Sequence, residues 1–139
     1  MIDPTTLILC FNEEKWLDVC NRRGNTYTDC HMDGLIVNRG RKQFSNEKSV
    51  LSWIDTKIKE EEDQRFYSIN WANLDTNNPY VEYRCLGGVG YHLRYGIMSK
   101  AIIEMAKNLE RALPNGKGTG FKTVKVRECF LPPPAMVPH

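Results

Sequence analysis

Glu82 and Arg84 are the pair of side chains in this sequence best suited to binding or catalysis. They stand two positions apart in a run rich in aromatic and β-branched residues, so a strand would place both side chains on one face. Arg65 and Asn70 belong to the preceding β-prone run and would lie nearby if the two strands pair. A carboxylate, two guanidinium groups and an amide on one sheet face could bind a carboxylate or a phosphate. The alternative is an ordinary ion pair on a solvent-facing strand.

A glycine loop follows the second of these runs. Gly87, Gly88 and Gly90 stand between a predicted strand and a predicted helix, and helix N-termini attract anions. The spacing matches neither the P-loop nor the dinucleotide-binding fingerprint, and no Lys-Ser or Lys-Thr pair follows. The loop is therefore better explained as a turn that takes the chain from sheet to helix.

Cys30, His31 and Asp33 bring three metal-capable side chains together. A zinc site usually needs four ligands in two close pairs, and the second pair is missing. The sequence therefore predicts no metal site, and it indicates a buried thiol at Cys30 beside a turn. His31 and His92 are interpreted as surface or turn histidines rather than general bases.

Two strands and one long helix would have to position these residues. The runs at residues 66–71 and 80–85 predict strands, and the turn-forming cluster at 75–79 separates them. A long helix is predicted from about His92 to Leu113, with its buried stripe formed by Met98, Ala101, Ile102, Met105, Leu109, Ala112 and Leu113. Lys100 and Glu104 are expected to form a weakly stabilising pair on its outer side.

The rest of the chain predicts shorter elements around this unit. An N-cap at Ser45 and the apolar spacing from Val50 to Ile58 predict a helix. Asp3-Pro4 is a helix-start signal ahead of residues 5–11, which could be a helix or a strand. Asn12-Glu13-Glu14 is a second start signal for residues 13–20, with carboxylates where the helix dipole favours them. Residues 34–37 and 121–130 are β-prone. The predicted fold class is α+β: a small, mainly antiparallel sheet packed against the long helix, with shorter N-terminal helices. One domain spans residues 1–130, and 131–139 form an extended Pro-rich tail.

Composition excludes several classes of protein. The 139 residues are 41% hydrophobic and 26% charged with a net charge of +2, which is typical of one globular domain and too balanced to favour a nucleic-acid ligand. The alternative that Tyr67, Trp71, Tyr80 and Tyr83 stack single-stranded bases lacks an RNP-type motif. No apolar run has the length of a membrane span. An odd number of cysteines without a secretory segment favours reduced thiols and a cytoplasmic location.

The two strand runs resemble the amidoligase-like proteins. These are relatives of the glutamine synthetase and glutamate–cysteine ligase group, and many are encoded by bacteriophages. In that family a strand of the form R-Y-x-x-x-N is followed by one of the form V-E-F-R. The similar segments here are RFYSINWANL at residues 65–74 and YVEYR at 80–84. The segment from Phe11 to Tyr27 is similar to the helical part that precedes these strands in the family, and a glycine-containing turn and a helix follow them. The resemblance covers residues 7–112.

This resemblance implies ATP-dependent joining of a carboxylate to an amine, with ATP and Mg²⁺ as cofactors. It implies catalytic roles for Glu82 and Arg84, and nucleotide or substrate contacts for Arg65 and Asn70. The family also has acidic metal ligands in an early strand pair and an upstream His-x-His strand, and this chain has neither. Because acyl-phosphate chemistry needs metal ions to neutralise the phosphates, the chain should be catalytically incomplete alone.

Three interpretations remain open from the sequence. The chain is a C-terminal part of a longer ligase, or one subunit of a split enzyme whose partner chain supplies the missing N-terminal half. Alternatively, it is a phage virion or other interaction protein that keeps the scaffold without catalysis. In that last case the location would be the host cytoplasm or the virion.

Overall fold

The computed structural model describes residues 2–23, 28–61, 66–87 and 90–132, and within these ranges it shows a small α+β fold. Six α-helices accompany one two-stranded antiparallel sheet and a short 3₁₀ turn. In chain order the elements are α1 (Pro4–Cys10), α2 (Glu13–Val19), α3 (His31–Arg39), α4 (Glu47–Glu60), β1 (Ile69–Asn70), β2 (Glu82–Tyr83), the 3₁₀ turn (Tyr91–Leu93), α5 (Tyr95–Ala112) and α6 (Thr119–Phe130).

Side-chain caps start three of these helices. The Asp3 carboxylate accepts from the Thr5 N–H at 3.2 Å, ahead of Pro4 at the first helical position of α1. Asn12 caps α2 by accepting from the Lys15 N–H at 3.3 Å. Asn46 caps α4 by accepting from the Ser49 N–H at 2.9 Å. The predicted cap at Ser45 is therefore wrong by one residue, and the undecided run from residue 5 becomes a helix.

Helix α1 lies at the centre of the core. Its Leu7 and Ile8 side chains are fully buried, and the helix contacts α4, α5 and α6. The side-chain amide of Asn108 on α5 donates to the Leu7 carbonyl oxygen at 3.2 Å, and its oxygen accepts from the Tyr83 hydroxyl at 2.6 Å. One buried amide thus joins α1, β2 and α5, which fixes the sheet relative to the helices.

Two segments predicted as β-prone are helical. Residues 34–37 lie inside α3, and residues 121–130 lie inside α6. In α6 the buried residues are Val126 and Phe130, four apart on one face, which is the helical spacing rather than the alternation of a strand. Packing of that face against α1 and α4 outweighs the β propensity of the segment.

The sheet is much shorter than the predicted strands. Only Ile69 pairs with Tyr83 and Asn70 with Glu82. A further hydrogen bond runs from the Arg84 N–H to the Ser68 carbonyl at 2.7 Å. On the other side, Asp29 forms an isolated parallel bridge with Tyr67. The pairing of the two runs is confirmed, whereas their extent is not.

Helix α5 begins three residues later than the predicted start, and it is less buried. Its buried residues are Ala101, Asn108 and Ala112. Ile102 and Leu113, both predicted to be buried, are about half exposed. Glu104 pairs with Lys107 at 3.5 Å instead of with Lys100. The apolar stripe read from the sequence is therefore wider than the part of the helix that faces the core.

At the C-terminus, α6 ends at Phe130, and Leu131 is extended. The predicted tail at residues 131–139 is described only at Leu131 and Pro132, so most of that prediction lies outside the described residues. Among the described residues, no helix combines the length and the apolar character needed to cross a lipid bilayer.

Glycine substitutions test the helical assignment of residues 34–37. An added Cβ at Gly34 meets no atom within 4 Å, so we expect Gly34→Ala to stabilise α3 by about 1 kcal/mol because alanine favours a helix. Gly116→Ala is the opposite case, since its Cβ would clash with the Arg111 carbonyl oxygen, and we expect a loss of about 1–3 kcal/mol. Urea unfolding measures both. A destabilising Gly34→Ala would contradict the helix.

Candidate functional site

The sheet brings three of the four predicted site residues together. Asn70 lies directly opposite Glu82 in the ladder. The Arg84 Nε lies 3.3 Å from a Glu82 carboxylate oxygen, in an ion pair that is partly exposed to solvent. Arg65 lies outside the described residues. The shared face predicted for Asn70, Glu82 and Arg84 is therefore present in the structure.

These side chains are engaged with their neighbours. The Asn70 side chain is 7% exposed, and its oxygen accepts from the Ala72 N–H at 3.0 Å, which stabilises the turn after β1. Glu82 and Arg84 neutralise each other. Five clefts of about 420 to 970 Å³ open between described residues, and none of the five is lined by Asn70, Glu82 or Arg84.

The most densely bonded polar group is one that the sequence analysis missed. The Glu13 carboxylate is fully buried. It accepts from the backbone N–H groups of His31 and Met32, both at 3.1 Å, and from the Ser68 hydroxyl. The Cys30 thiol lies 3.6 Å away as a further donor. Although Glu13 belongs to the first turn of α2, its carboxylate thus binds the N-terminus of α3, where the helix dipole favours an anion.

His31 lies beside this carboxylate, and its side chain is 1% exposed. Its Nε2 is 2.7 Å from the Ile69 carbonyl oxygen, and its Nδ1 is 3.3 Å from a Glu61 carboxylate oxygen. The ring stacks on Tyr67 at 4.1 Å and contacts Trp71 at 4.7 Å between centroids. Both ring nitrogens face acceptors, so the imidazolium form, which donates from both nitrogens, satisfies the site. The prediction of a surface or turn histidine is wrong at His31.

The pKa values in this cluster follow from burial and charge. Burial lowers the pKa of His31, but the hydrogen bond to Glu61 and the charges of Glu13 and Glu61 outweigh it, so the pKa is raised. Burial raises the pKa of the Glu13 carboxyl, and the His31 charge and the donors oppose that rise. Both groups are almost completely buried, and their hydrogen bonds join α2, α3 and β1.

The residues that suggested a metal do not come together as a set. His31 points into the core, while Cys30 and Asp33 lie close to Glu14, with donor atoms within 4.8 Å of one another. Cations already neutralise the two carboxylates, because Arg23 lies 3.1 Å from Asp33 and Lys125 lies 3.5 Å from Glu14.

Three of the described thiols are poor metal ligands and poor nucleophiles. Burial and the Glu13 charge raise the pKa of Cys30. Burial also raises the pKa of Cys85 to about 12 and that of Cys10 to about 11. These groups are therefore protonated at neutral pH. The predicted buried thiol at Cys30 is confirmed, at the N-cap of α3.

The glycine loop has the geometry of a turn. Gly87 and Gly90 adopt positive φ angles of 102° and 74°, while Gly88 lies outside the described residues. Gly90 leads into the 3₁₀ turn, and α5 starts only at Tyr95 with Arg94 at its N-cap. The described glycines therefore do not stand at the N-terminus of α5, where a phosphate-binding loop would have to lie.

Comparison with protein-family models, with curated proteins and with solved structures found no match to the chain.

The raised pKa of His31 predicts a pH dependence of stability. A folded-state pKa above the unfolded value of about 6.5 means that the stabilisation is complete below pH 6.5 and is lost as pH rises through the folded-state pKa. We therefore expect the free energy of unfolding to fall with rising pH above about 6.5, by up to about 1.4 kcal/mol for each unit of the shift.

Glu61→Gln should flatten this dependence, because it removes the charge that faces Nδ1 of His31. The matched control is Glu60→Gln, which removes an exposed carboxylate paired with Lys57. The pKa of Glu13 is also raised, so Glu13 contributes its own decline in the free energy of unfolding, which begins at lower pH. That decline is common to wild type, Glu61→Gln and Glu60→Gln. Identical pH profiles for wild type and Glu61→Gln would contradict the buried imidazolium.

Proposed function

We propose that this protein acts by assembly rather than by catalysis, and that two copies pair through the outer face of α5. We define the α5 outer face as one stripe along the helix. Its members are Tyr95, Ser99, Ile102, Ile103, Ala106 and Glu110. The proposal adopts the interaction-protein alternative that the sequence left open.

The exposure of this stripe carries the proposal. Ile102 and Ile103 are each 54% exposed and Tyr95 is 75% exposed. Ser99 and Ala106 between them are small and also exposed. Single exposed apolar residues are ordinary, but a row of them along one helix face is typical of a protein–protein contact. Leu113, about half exposed just beyond the helix, extends the row.

The order of residues along the stripe favours a second copy as the partner. If two α5 helices run antiparallel about a two-fold axis between Ile102 and Ile103, Ser99 of each copy comes level with Ala106 of the other. Two small side chains then allow close approach of the helices, and the isoleucines fill the centre. Tyr95 comes level with Glu110 of the other copy, where its hydroxyl can donate to the carboxylate. Such self-complementarity is what an isologous contact requires.

The polar side chains in the core and the sheet support the same conclusion. Glu13 and His31 are buried, Asn70 closes a turn, and Glu82 pairs with Arg84. The described side chains best suited to catalysis or ligand binding therefore stabilise the fold. On the α5 outer face, in contrast, three large side chains remain more than half exposed in the part of the chain that the structure describes.

Sedimentation equilibrium tests the pairing. We expect the wild-type chain to have twice its mass of 16.1 kDa, and Ile103→Asp to sediment as a monomer because a carboxylate would be buried at the centre of the contact. Val37→Asp is the matched control, since Val37 is exposed on α3 away from the stripe. A wild-type monomer at all soluble concentrations, or an Ile103→Asp dimer, would overturn the proposal.

Crosslinking tests the antiparallel arrangement. In a double variant with Ser99→Cys and Ala106→Cys, the level positions of the two copies should give a covalent dimer under mild oxidation. Either single variant should give little, because each new thiol would then face an unmodified Ala106 or Ser99. Equal crosslinking of the single and double variants would contradict this arrangement.

One observation favours a second candidate function, the nucleotide-binding part of an amidoligase-like enzyme. The ladder places Asn70 opposite Glu82, with Arg84 beside the carboxylate, and these residues match the family's R-Y-x-x-x-N and V-E-F-R strands. In this reading ATP and Mg²⁺ are the cofactors, and a partner chain or an N-terminal half supplies the metal ligands. The activity would be ATP-dependent carboxylate–amine ligation.

Calorimetric titration with Mg-ATP tests this second candidate. If this candidate is correct, the wild-type chain binds Mg-ATP. We then expect the affinity to fall at least tenfold, about 1.4 kcal/mol, in Glu82→Gln, because that variant breaks the pair with Arg84 and removes the carboxylate. Glu47→Gln serves as the control, since Glu47 pairs with Arg127 on another surface. No heat of binding with the wild-type chain would remove the ligase reading for the isolated chain.

A further inference from the structure

A basic cleft lies where the ends of α3 and α6 meet. Its volume is about 530 Å³, within the usual range for a small-molecule site. We call it the Arg39 cleft. It is lined by Arg39, Gly40, Arg41, Lys42, Gln43, Phe44, Phe130, Leu131 and Pro132. Three of these nine side chains are cationic and none is acidic.

Arg39 is fixed at this place by contacts with α6. Its Nη1 donates to the Cys129 carbonyl oxygen at 2.9 Å, and the guanidinium lies 5.9 Å from the centre of the Phe130 ring. Its Nε is buried and has no hydrogen-bond partner among the described residues. A buried donor without an acceptor is unfavourable, so the fold holds the Arg39 guanidinium at the edge of the cleft with part of its hydrogen-bonding capacity unused.

Among the described residues, no carboxylate forms an ion pair with the other two cations. Arg41 is exposed, and Lys42 lies 5.6 Å from the centre of the Phe44 ring. Within the described parts of the chain, neither side chain forms an ion pair or bonds a backbone carbonyl oxygen. Arg39 therefore has a structural role, because it bonds the end of α6. The charges of Arg41 and Lys42 have no structural role of that kind among the described residues.

Rigid aromatic packing supports the floor of the cleft. The Phe44 ring lies 5.4 Å from the Trp53 ring and 6.3 Å from the Phe130 ring, between centroids. The Trp53 and Phe130 rings are 5.9 Å apart. Gly40 reverses the chain after α3 with a φ of 56°, which brings Arg41 and Lys42 back beside Arg39. The three cations are thus presented on a preformed surface, which lowers the entropic cost of binding.

From this arrangement we propose that the Arg39 cleft binds a small organic anion that carries at least two linked phosphate groups. Guanidinium groups match phosphate oxygens in pairs, and two or three cations within one cleft suit a diphosphate better than a single phosphate. The apolar edge formed by Leu131 and Pro132 would contact the organic part. The inference is independent of pairing through α5, which lies outside this cleft.

Calorimetric titration of the full chain with inorganic pyrophosphate, at constant ionic strength, tests the proposal. We expect saturable binding at one site, and at least a tenfold weaker affinity in Arg41→Gln and in Lys42→Gln. Both side chains are exposed, so the variants should fold, which circular dichroism checks. Lys117→Gln is the control, because it removes a cation from different clefts, and we expect an unchanged affinity.

Three outcomes would overturn the proposal. The first is the absence of saturable pyrophosphate binding to the wild-type chain. The second is orthophosphate binding as tightly as pyrophosphate, which would remove the requirement for two linked phosphates. The third is equal weakening in Lys117→Gln and Arg41→Gln, which would show attraction to the overall positive charge rather than to this cleft.

Discussion

The buried carboxylate of Glu13 is the constraint on which the local architecture depends. A charged group without water needs donors from every side, and here they come from the start of α3 and from Ser68 just before β1. Because the acceptor sits on α2, these bonds fix three elements at one point. His31 then follows as a consequence, since its backbone is held by Glu13 and its ring lies between Ile69 and Glu61.

This constraint also bears on function. Cys30 and His31, which could have supplied a thiol and a catalytic histidine, are buried, and Asp33 forms an ion pair with Arg23. Asn108 and Tyr83 show the same use of polar groups farther along the chain, where they join α1, β2 and α5. Two surfaces of the described residues, the apolar α5 outer face and the basic Arg39 cleft, present groups without such a structural role. This division is the basis of the proposal that the protein acts through contacts made by these surfaces.

The sequence predicts the parts of the fold that depend on local signals. Asn12 and Asp3 act as helix caps, and the two aromatic runs pair. Residues 34–37 are misassigned because the N-terminus of α3 is stabilised by a carboxylate from α2, and propensity contains no information about that contact. For the same reason Glu13 was interpreted only as a charge favourable to its own helix.

The candidate surfaces show a similar division. The shared face of Asn70, Glu82 and Arg84 follows from alternation along paired strands, and that part was predictable. Whether Ile102 faces the core or solvent depends on which elements pack against α5. The hydrophobic pattern of one helix carries no information about those elements. The Arg39 cleft brings Arg39 beside Phe130 of α6, and Arg39 bonds the carbonyl oxygen of Cys129, 90 positions along the chain, so no local pattern could indicate the cleft.

The free energy of unfolding of Glu13→Gln, compared with that of Glu14→Gln, measures how far the fold depends on the buried carboxylate. The two residues are adjacent on α2, but only Glu13 is fully buried among donors. An amide offers one acceptor oxygen and places an N–H₂ group against backbone donors, so Glu13→Gln should lose about 3 kcal/mol. Glu14→Gln should stay within about 1 kcal/mol of wild type. If Glu13→Gln were as stable as Glu14→Gln, the carboxylate would not be what holds α2, α3 and β1 together.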